Sequence, residues 1–186
     1  MSAALKLTGM PQLESSETGE CYEIIDGIRV EIPPMSVKSA VIASDLSHYL
    51  NTFALAQGLG RSVVEVLFHL PLPTDRNRRP DVAFVASSRW PLTKALPSSN
   101  AWDVLPDIVV EVISPSDLFE EVLEKIEEYF HSGIRYVWII DAKLRLVYSY
   151  ESPTQIRVLT RNDSLDGGVV LPGFQLPLVQ LFPADA

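Results

Sequence analysis

Hydrophobic and polar positions switch between strand-like and helix-like periods along the chain. Residues 1–20 have no clear period and read as an N-terminal arm, leaving residues 21–186 as one domain. Apolar runs at 22–25 and 28–32 flank Asp26-Gly27, a pair suited to the positive φ of a tight type I′ turn, so a β-hairpin is expected. Pro33-Pro34 ends it. From Ser36 to Gln57 the residues Ile42, Leu46, Tyr49, Leu50 and Phe53 recur at helical spacing, and Gly58 and Gly60 stop that helix. Strand-like runs follow at 62–70, 81–86 and 107–113. The third is aliphatic on both faces apart from Glu111, as a central strand would be. Ser116 is then the expected cap of a second helix with a buried face of Phe119, Val122, Leu123, Ile126 and Phe130, ended by Gly133. Another buried strand is expected at 136–140 and a strand meander at 144–150 and 155–159. Asp166-Gly167-Gly168 turns into a tail whose segment 172–181 forms an edge or packing element. The order of elements predicts an α/β domain, a mixed β-sheet core flanked by helices.

Composition supports a folded core: 47% of the residues are hydrophobic, 21% are charged, and mean hydropathy is +0.15. No apolar run reaches the roughly 18 residues that span a bilayer, so no membrane partner is expected. The first residues lack a basic-then-apolar signal pattern, and a cytoplasmic location is the expectation. The single cysteine, Cys21, leaves no thiolate cluster for zinc. With 15 basic and 24 acidic residues the net charge is −9, which argues against non-specific coating of nucleic acid. The charge is uneven. Six of the basic residues fall between Arg61 and Lys94, and nine acidic ones between Ala101 and Glu128.

Most common enzyme signatures are missing. There is no G-x-x-x-x-G-K, no G-x-G-x-x-G and no G-x-S-x-G, and His48, His69 and His131 stand far apart. What stands out is a pair of carboxylates in apolar strands: Asp81, directly after Pro80, and Glu111. Burying an ionised carboxylate costs several kcal/mol unless it is paired or binds a metal. Two accounts stand at this level. Asp81 and Glu111 converge on a hard divalent ion such as Mg²⁺, with a lysine beside it to orient the attacking water or neutralise developing charge. Alternatively, Asp81 pairs with Arg78 or Arg79 and Glu111 with a basic residue of the core.

A resemblance bears on that choice. The segment Arg79-Pro80-Asp81-Val82-Ala83-Phe84, followed by Val110-Glu111-Val112-Ile113-Ser114-Pro115-Ser116, resembles the PD-(D/E)XK nuclease superfamily. More narrowly it is similar to the Uma-two family of bacterial endonucleases. Tyr22-Glu23-Ile24-Ile25-Asp26-Gly27, Pro33-Pro34, the stretch from Lys125 to Tyr129, Gly133 to Asp141, and Leu171-Pro172-Gly173-Phe174 fit in the same order, covering nearly everything from Tyr22 to Phe182. The resemblance implies a restriction-endonuclease-like core with an added N-terminal hairpin and a C-terminal strand meander.

Carried over by position, Asp81 and Glu111 match the two acidic metal ligands, with the main-chain carbonyl of Val112 or Ile113 as a further ligand for Mg²⁺ or Mn²⁺. The superfamily lysine two places after the glutamate is replaced by Ile113. The family's lysine has moved to the following helix, where this chain has Lys125. That residue lies about 100° from the centre of the apolar stripe, on the side shared with Tyr129, so its stem can reach the sheet. Its alternative is an i,i+4 pair with Glu121. Ser39 stands where the family often has histidine, Leu118 where it often has arginine, and Glu121 where it often has aspartate.

The expectation is therefore a metal-dependent endonuclease acting on nucleic acid, DNA in the first instance. Arg76, Arg78, Arg79 and Arg89 would contact phosphates, Glu23, Glu31 and Glu65 would be helper carboxylates, and a homodimer would supply further surface. The alternative is a catalytically impaired nuclease-fold module for nucleic-acid or protein binding, using the meander around Tyr148 and Tyr150.

Overall fold

The computed structural model describes residues 21–114 and 117–182. The expected N-terminal arm, and Ser116 as a helix cap, fall outside them. The hairpin forms as β1 (Tyr22–Ile25) and β2 (Ile28–Glu31), with Asp26 at φ 52° and Gly27 at φ 76°, the two left-handed residues that a type I′ turn requires. Helix α1 (Val37–Ala56) starts at Ser36, whose Oγ accepts the Ser39 N–H at 3.1 Å. It buries Ile42, Leu46 and Leu50.

The strand expected at 62–70 is divided between two sheets. It appears as β3 (Gly60–Val64) and β4 (Leu67–Leu70), paired with β6 (Val82–Ala86) and β5 (Arg76–Arg78). The pairs Val64↔Val82 and Phe68↔Arg78 belong to one uninterrupted antiparallel register. This is a single long hairpin bent in the middle, at Glu65 on one arm and Arg79-Pro80-Asp81 on the other. The physical cause is local. Glu65 sits at φ 49°, and Pro80 has no N–H to give to a ladder. Strands that change sheets at such bends make the corner between two packed sheets.

Past the bend, β4 and β5 join β1, β2 and the short β7 (Ala101–Trp102) in a five-stranded sheet ordered β2-β1-β5-β4-β7. The lower halves join β8 (Ile108–Ile113), β9 (Tyr136–Asp141), β10 (Leu146–Ser152) and β11 (Gln155–Thr160). That six-stranded sheet is ordered β11-β10-β9-β8-β6-β3, and only β8 and β9 run parallel. Strands β5 and β7 lie in stretches expected to be loop, and the hairpin belongs to the second sheet.

Alternation along β8 sets the two faces of the large sheet. Ile108, Val110 and Val112 pack in one core with Leu46 and Leu50 of α1. The ribbon β12 (Ser164–Gly167) and β13 (Leu171–Pro177) and the short α3 (Leu178–Leu181) complete that core with Leu165, Phe174 and Leu181. Val109 packs on the other face with Ile126 and Tyr129 of α2 (Phe119–Ser132). The buried stripe of α2 is rotated from the expected one: Phe119 is 74% exposed and Leu123 38%, whereas Tyr129 is buried. Leu118 occupies the N-cap position without a side-chain hydrogen bond, and Glu120 and Glu121 offset the first-turn dipole. Gly133, at φ 94°, closes the helix in the left-handed conformation that favours glycine.

Candidate active site

Asp81 stands at the bend, one residue before β6, and Glu111 stands inside β8. Extending the antiparallel register Phe84↔Ile108, Val82↔Val110 by one pair sets Asp81 directly opposite Glu111. Both side chains therefore leave the sheet on one face, at the close spacing of cross-strand neighbours. It is the face that Val109 shares with α2, and both carboxylates line a cleft of about 650 Å³. The cleft lies between the large sheet, α2, the hairpin and the N-terminus of α1, with Ser36 and Ser39 at the α1 end.

The partners of the two carboxylates differ. Asp81 Oδ2 accepts the Val112 N–H at 2.6 Å, the one hydrogen bond of this carboxyl group among the described residues, and no arginine among them pairs with it. Burial, and then the charge of Glu111, push the Asp81 carboxyl up to about 7. Glu111 is 8% exposed and held from α2: Tyr129 Oη donates to its Oε1 at 2.5 Å, and Lys125 Nζ to its Oε2 at 3.2 Å. Lys125 thus turns toward the sheet and pairs with Glu111 rather than with Glu121. Burial works against its charge, but Glu111 and Glu23 outweigh it and hold the ammonium above its ordinary pKa. Burial and the same two carboxylates push the Tyr129 phenol upward, so it remains a donor.

The five-stranded sheet contributes a second charged layer. Glu23, 2% exposed, accepts Arg78 Nη1 at 2.6 Å and the Arg79 N–H at 3.0 Å, and its Oε1 lies 3.8 Å from Lys125 Nζ. Burial opposes its ionisation, yet Lys125, Arg78 and the Arg79 N–H prevail and hold its carboxyl below the usual range. Arg78 also grips Glu128 on α2 through Nε and Nη2, at 2.7 and 3.0 Å. Arg76 joins Glu128 to Asp26 of the hairpin turn.

These pairings narrow the expected set of phosphate contacts. Arg78 is buried and committed to two carboxylates. Arg76 is tied to Asp26 and Glu128 and lies outside the cleft lining. Arg89 belongs near the start of β8, bonded to Asp107 and to the carbonyls of Leu105 and Gly133. Arg79 remains at the cleft. Its guanidinium donates to the carbonyls of Glu65 and Tyr22 and is paired with no carboxylate among the described residues. Glu31 lines the cleft rim. Glu65 lies opposite Asp81 in the bent hairpin, where its N–H meets the Asp81 carbonyl at 3.2 Å, and its charge adds to the upward push on Asp81. Sequence reading missed Tyr129 as a partner of Glu111. Its place four residues after Lys125, on the same side of an amphipathic helix, was the available signal.

The donor set suits a hard divalent cation. Two carboxylates face each other, one of them short of partners and proton-retaining, with the backbone of Val112 and Ile113 alongside. No group of three or more His, Cys, Asp or Glu residues converges among the described residues. Such a site would leave part of the coordination to main-chain oxygen and water, as Mg²⁺ prefers.

The bent hairpin, the mixed sheet with flanking helices and the paired carboxylates define a nuclease-type α/β fold. A family model described as "putative restriction endonuclease", Uma2, matches residues 9–179, and the chain belongs to that family. Its fold is similar to the crystal structure of a "putative nuclease belonging to DUF820" from Anabaena variabilis ATCC 29413. The TM-score is 0.76 at 22% identity, over 91% of this chain and 94% of that one. No curated protein matches the chain. Among the described residues no helix is long and apolar enough to cross a membrane.

Proposed function

We propose that the protein is a metal-dependent endonuclease that hydrolyses phosphodiester bonds, with DNA as the preferred substrate and Mg²⁺ or Mn²⁺ as cofactor. The observation that carries this reading is the pairing of Asp81 and Glu111 across β6 and β8, on one face, in a cleft that Lys125 shares. Asp81, Glu111 and the main-chain carbonyl of Val112 or Ile113 would hold the ion. An ion bound there supplies Lewis acidity toward a phosphoryl oxygen and acidifies a coordinated water. Lys125 neutralises charge that develops at the phosphorus oxygens and orients the attacking water. Arg79 steadies a neighbouring phosphate. The N-terminus of the 20-residue α1 has no acidic residue in its first turn and faces the same cleft, which favours an anion there.

A binding module with an impaired site is the second reading. It draws on Ile113 at the position of the superfamily lysine and on the charge of the cleft lining, seven acidic side chains against three basic. The reading also includes a homodimer, supported by β11, a sheet edge that exposes Ile156 and Val158. The test is cleavage of double-stranded DNA, single-stranded DNA and RNA at low salt with Mg²⁺ or Mn²⁺. Activity is expected with DNA and is expected to vanish with chelator, with Asp81→Ala and with Glu111→Ala. Metal binding without cleavage of any of the three would favour the binding module. A protein that binds neither ion and cuts nothing would sink the enzyme reading.

A further inference from the structure

Lys125 links the two sheets at the cleft. Its ammonium lies 3.2 Å from Glu111 of the six-stranded sheet and 3.8 Å from Glu23 of the five-stranded sheet. These two carboxylates have different duties. Glu111 faces Asp81 and is wanted by a cation. Glu23 lines the same cleft but is not opposite Asp81, and it is fixed by Arg78 and the Arg79 N–H. Arg78 in turn holds Glu128, three residues beyond Lys125 on α2. Glu23, Arg78 and Glu128 thus set both the height of α2 over the sheet and the position of the carboxylate nearest Lys125 after Glu111.

We propose that Glu23 is a positioning residue: it anchors the Lys125 ammonium when a divalent cation takes over Glu111, keeping the lysine beside the reaction centre without letting it compete for the metal ligand. This rests on the metal-site reading above. The argument is electrostatic. A monovalent ammonium on Glu111 and a divalent cation on the same carboxylate repel each other, and at a few ångströms in a partly desolvated cleft that repulsion is substantial. With Glu23 present, a short shift of Nζ along its flexible stem exchanges one carboxylate for the other. With Glu23 neutral, Glu111 is left as the carboxylate ion-paired to the ammonium among the described residues, so the lysine holds it more firmly and the cation must displace a better-held competitor.

The readout is Mn²⁺ binding measured by calorimetry, which requires no turnover. The variants are Glu23→Gln, Lys125→Met and the double substitution, each checked by its melting curve. Glutamine keeps an acceptor for the Arg79 N–H and the side-chain shape, and Arg78 retains Glu128. Glu23→Gln is expected to weaken Mn²⁺ binding about tenfold in the presence of Lys125, and about twofold or less once Lys125 is methionine. The second figure is the loss of one nearby negative charge alone. Lys125→Met by itself is expected to tighten binding. Equal losses in both backgrounds would overturn the proposal, because Glu23 would then act only as charge or scaffold. No loss in either would also overturn it. If the wild-type protein binds no Mn²⁺ under these conditions, it is the metal-site reading that fails, a result distinct from both. Cleavage supplies a second check: Glu23→Gln should lower kcat when Mn²⁺ is saturating, and added metal should not restore it.

Discussion

Asp81→Asn separates the two roles an acidic residue can have at this position, strained metal ligand or ordinary hydrogen-bond acceptor. Burial and Glu111 raise the Asp81 pKa from 3.8 to about 7, a difference worth about 4 kcal/mol of folding free energy. The folded state holds this proton more tightly than the unfolded chain. The associated stability is therefore complete below about pH 4 and is lost as pH rises to about 7. Asparagine keeps an oxygen for the Val112 N–H and does not ionise, so it escapes that loss. Asp81 is only half-buried, and relaxation and solvent reduce the figure to about 2 kcal/mol. For a domain of this size that is a rise in Tm of ~4–8 °C. The assay is scanning calorimetry in chelator at pH 8 and pH 5. Asp81→Asn should melt above the wild type at pH 8, with a smaller gap at pH 5. Saturating Mg²⁺ should raise the wild-type Tm at pH 8 and leave the variant unchanged. Wild-type affinity for Mg²⁺ should climb between pH 6 and pH 8 as the Asp81 proton is released. A variant that melts below the wild type by the same margin at both pH values refutes the reasoning, since Asp81 would then be a simple structural acceptor.

Other substitutions test the surrounding layers. Arg78→Ala removes the buried guanidinium that Glu23 and Glu128 share and should cost about 3–5 kcal/mol in urea denaturation; a loss below about 1 kcal/mol would mean the charged layer is dispensable. Tyr129→Phe removes a buried donor to Glu111 and should cost about 1–3 kcal/mol, and an unchanged denaturation midpoint would count against that bond. On α2, Ile126→Ala should cost about 2–5 kcal/mol, whereas Phe119→Ser should stay within about 0.5 kcal/mol; the opposite order would return Phe119 to the core. Because acidic side chains outnumber basic ones in the cleft lining by seven to three, fluorescence anisotropy should find little DNA binding in chelator and clear, salt-sensitive binding with Ca²⁺. Equal binding in both would place the DNA on another surface.

The strands and helices carried by strong local signals were legible in the sequence. Asp26-Gly27 dictated a two-residue turn, the spacing of Ile42, Leu46 and Leu50 a helix, and the aliphatic run at 108–113 a central strand. The second sheet was not legible, because no local pattern announces it. A continuous run at 62–70 reads as one strand, and it does keep one register; the bend comes from Glu65 in a left-handed conformation opposite Pro80-Asp81, a relation between residues about 16 positions apart. The partners of the arginines were hidden for a similar reason. The clustering of the arginines in sequence looked like a surface for phosphate, but Glu23, Asp26, Asp107 and Glu128, which neutralise three of the four, come from distant elements. The face of α2 was misjudged because hydrophobicity favoured Phe119 and Leu123 over Tyr129. Tyr129 is buried because Glu111 gives its hydroxyl a partner.

That last error points at the site itself. Tyr129 and Lys125 are turned inward on α2 by one buried carboxylate, and Glu111 interrupts an otherwise aliphatic strand. A core built for stability alone would replace this group of Asp81, Glu111, Lys125 and Tyr129 with apolar side chains of similar volume and lose little by it. Here the fold instead sets two carboxylates opposite each other, one of them drawn toward neutral pH, and surrounds them with the charged layer of Glu23, Arg78 and Glu128. Places where local rules are broken and the surroundings compensate are where function is concentrated. The compensation runs through both sheets and α2, so the bent hairpin is what brings the chemistry together: straightened, it would carry Glu23 and Arg78 away from Asp81 and Glu111 and leave Lys125 with a single partner.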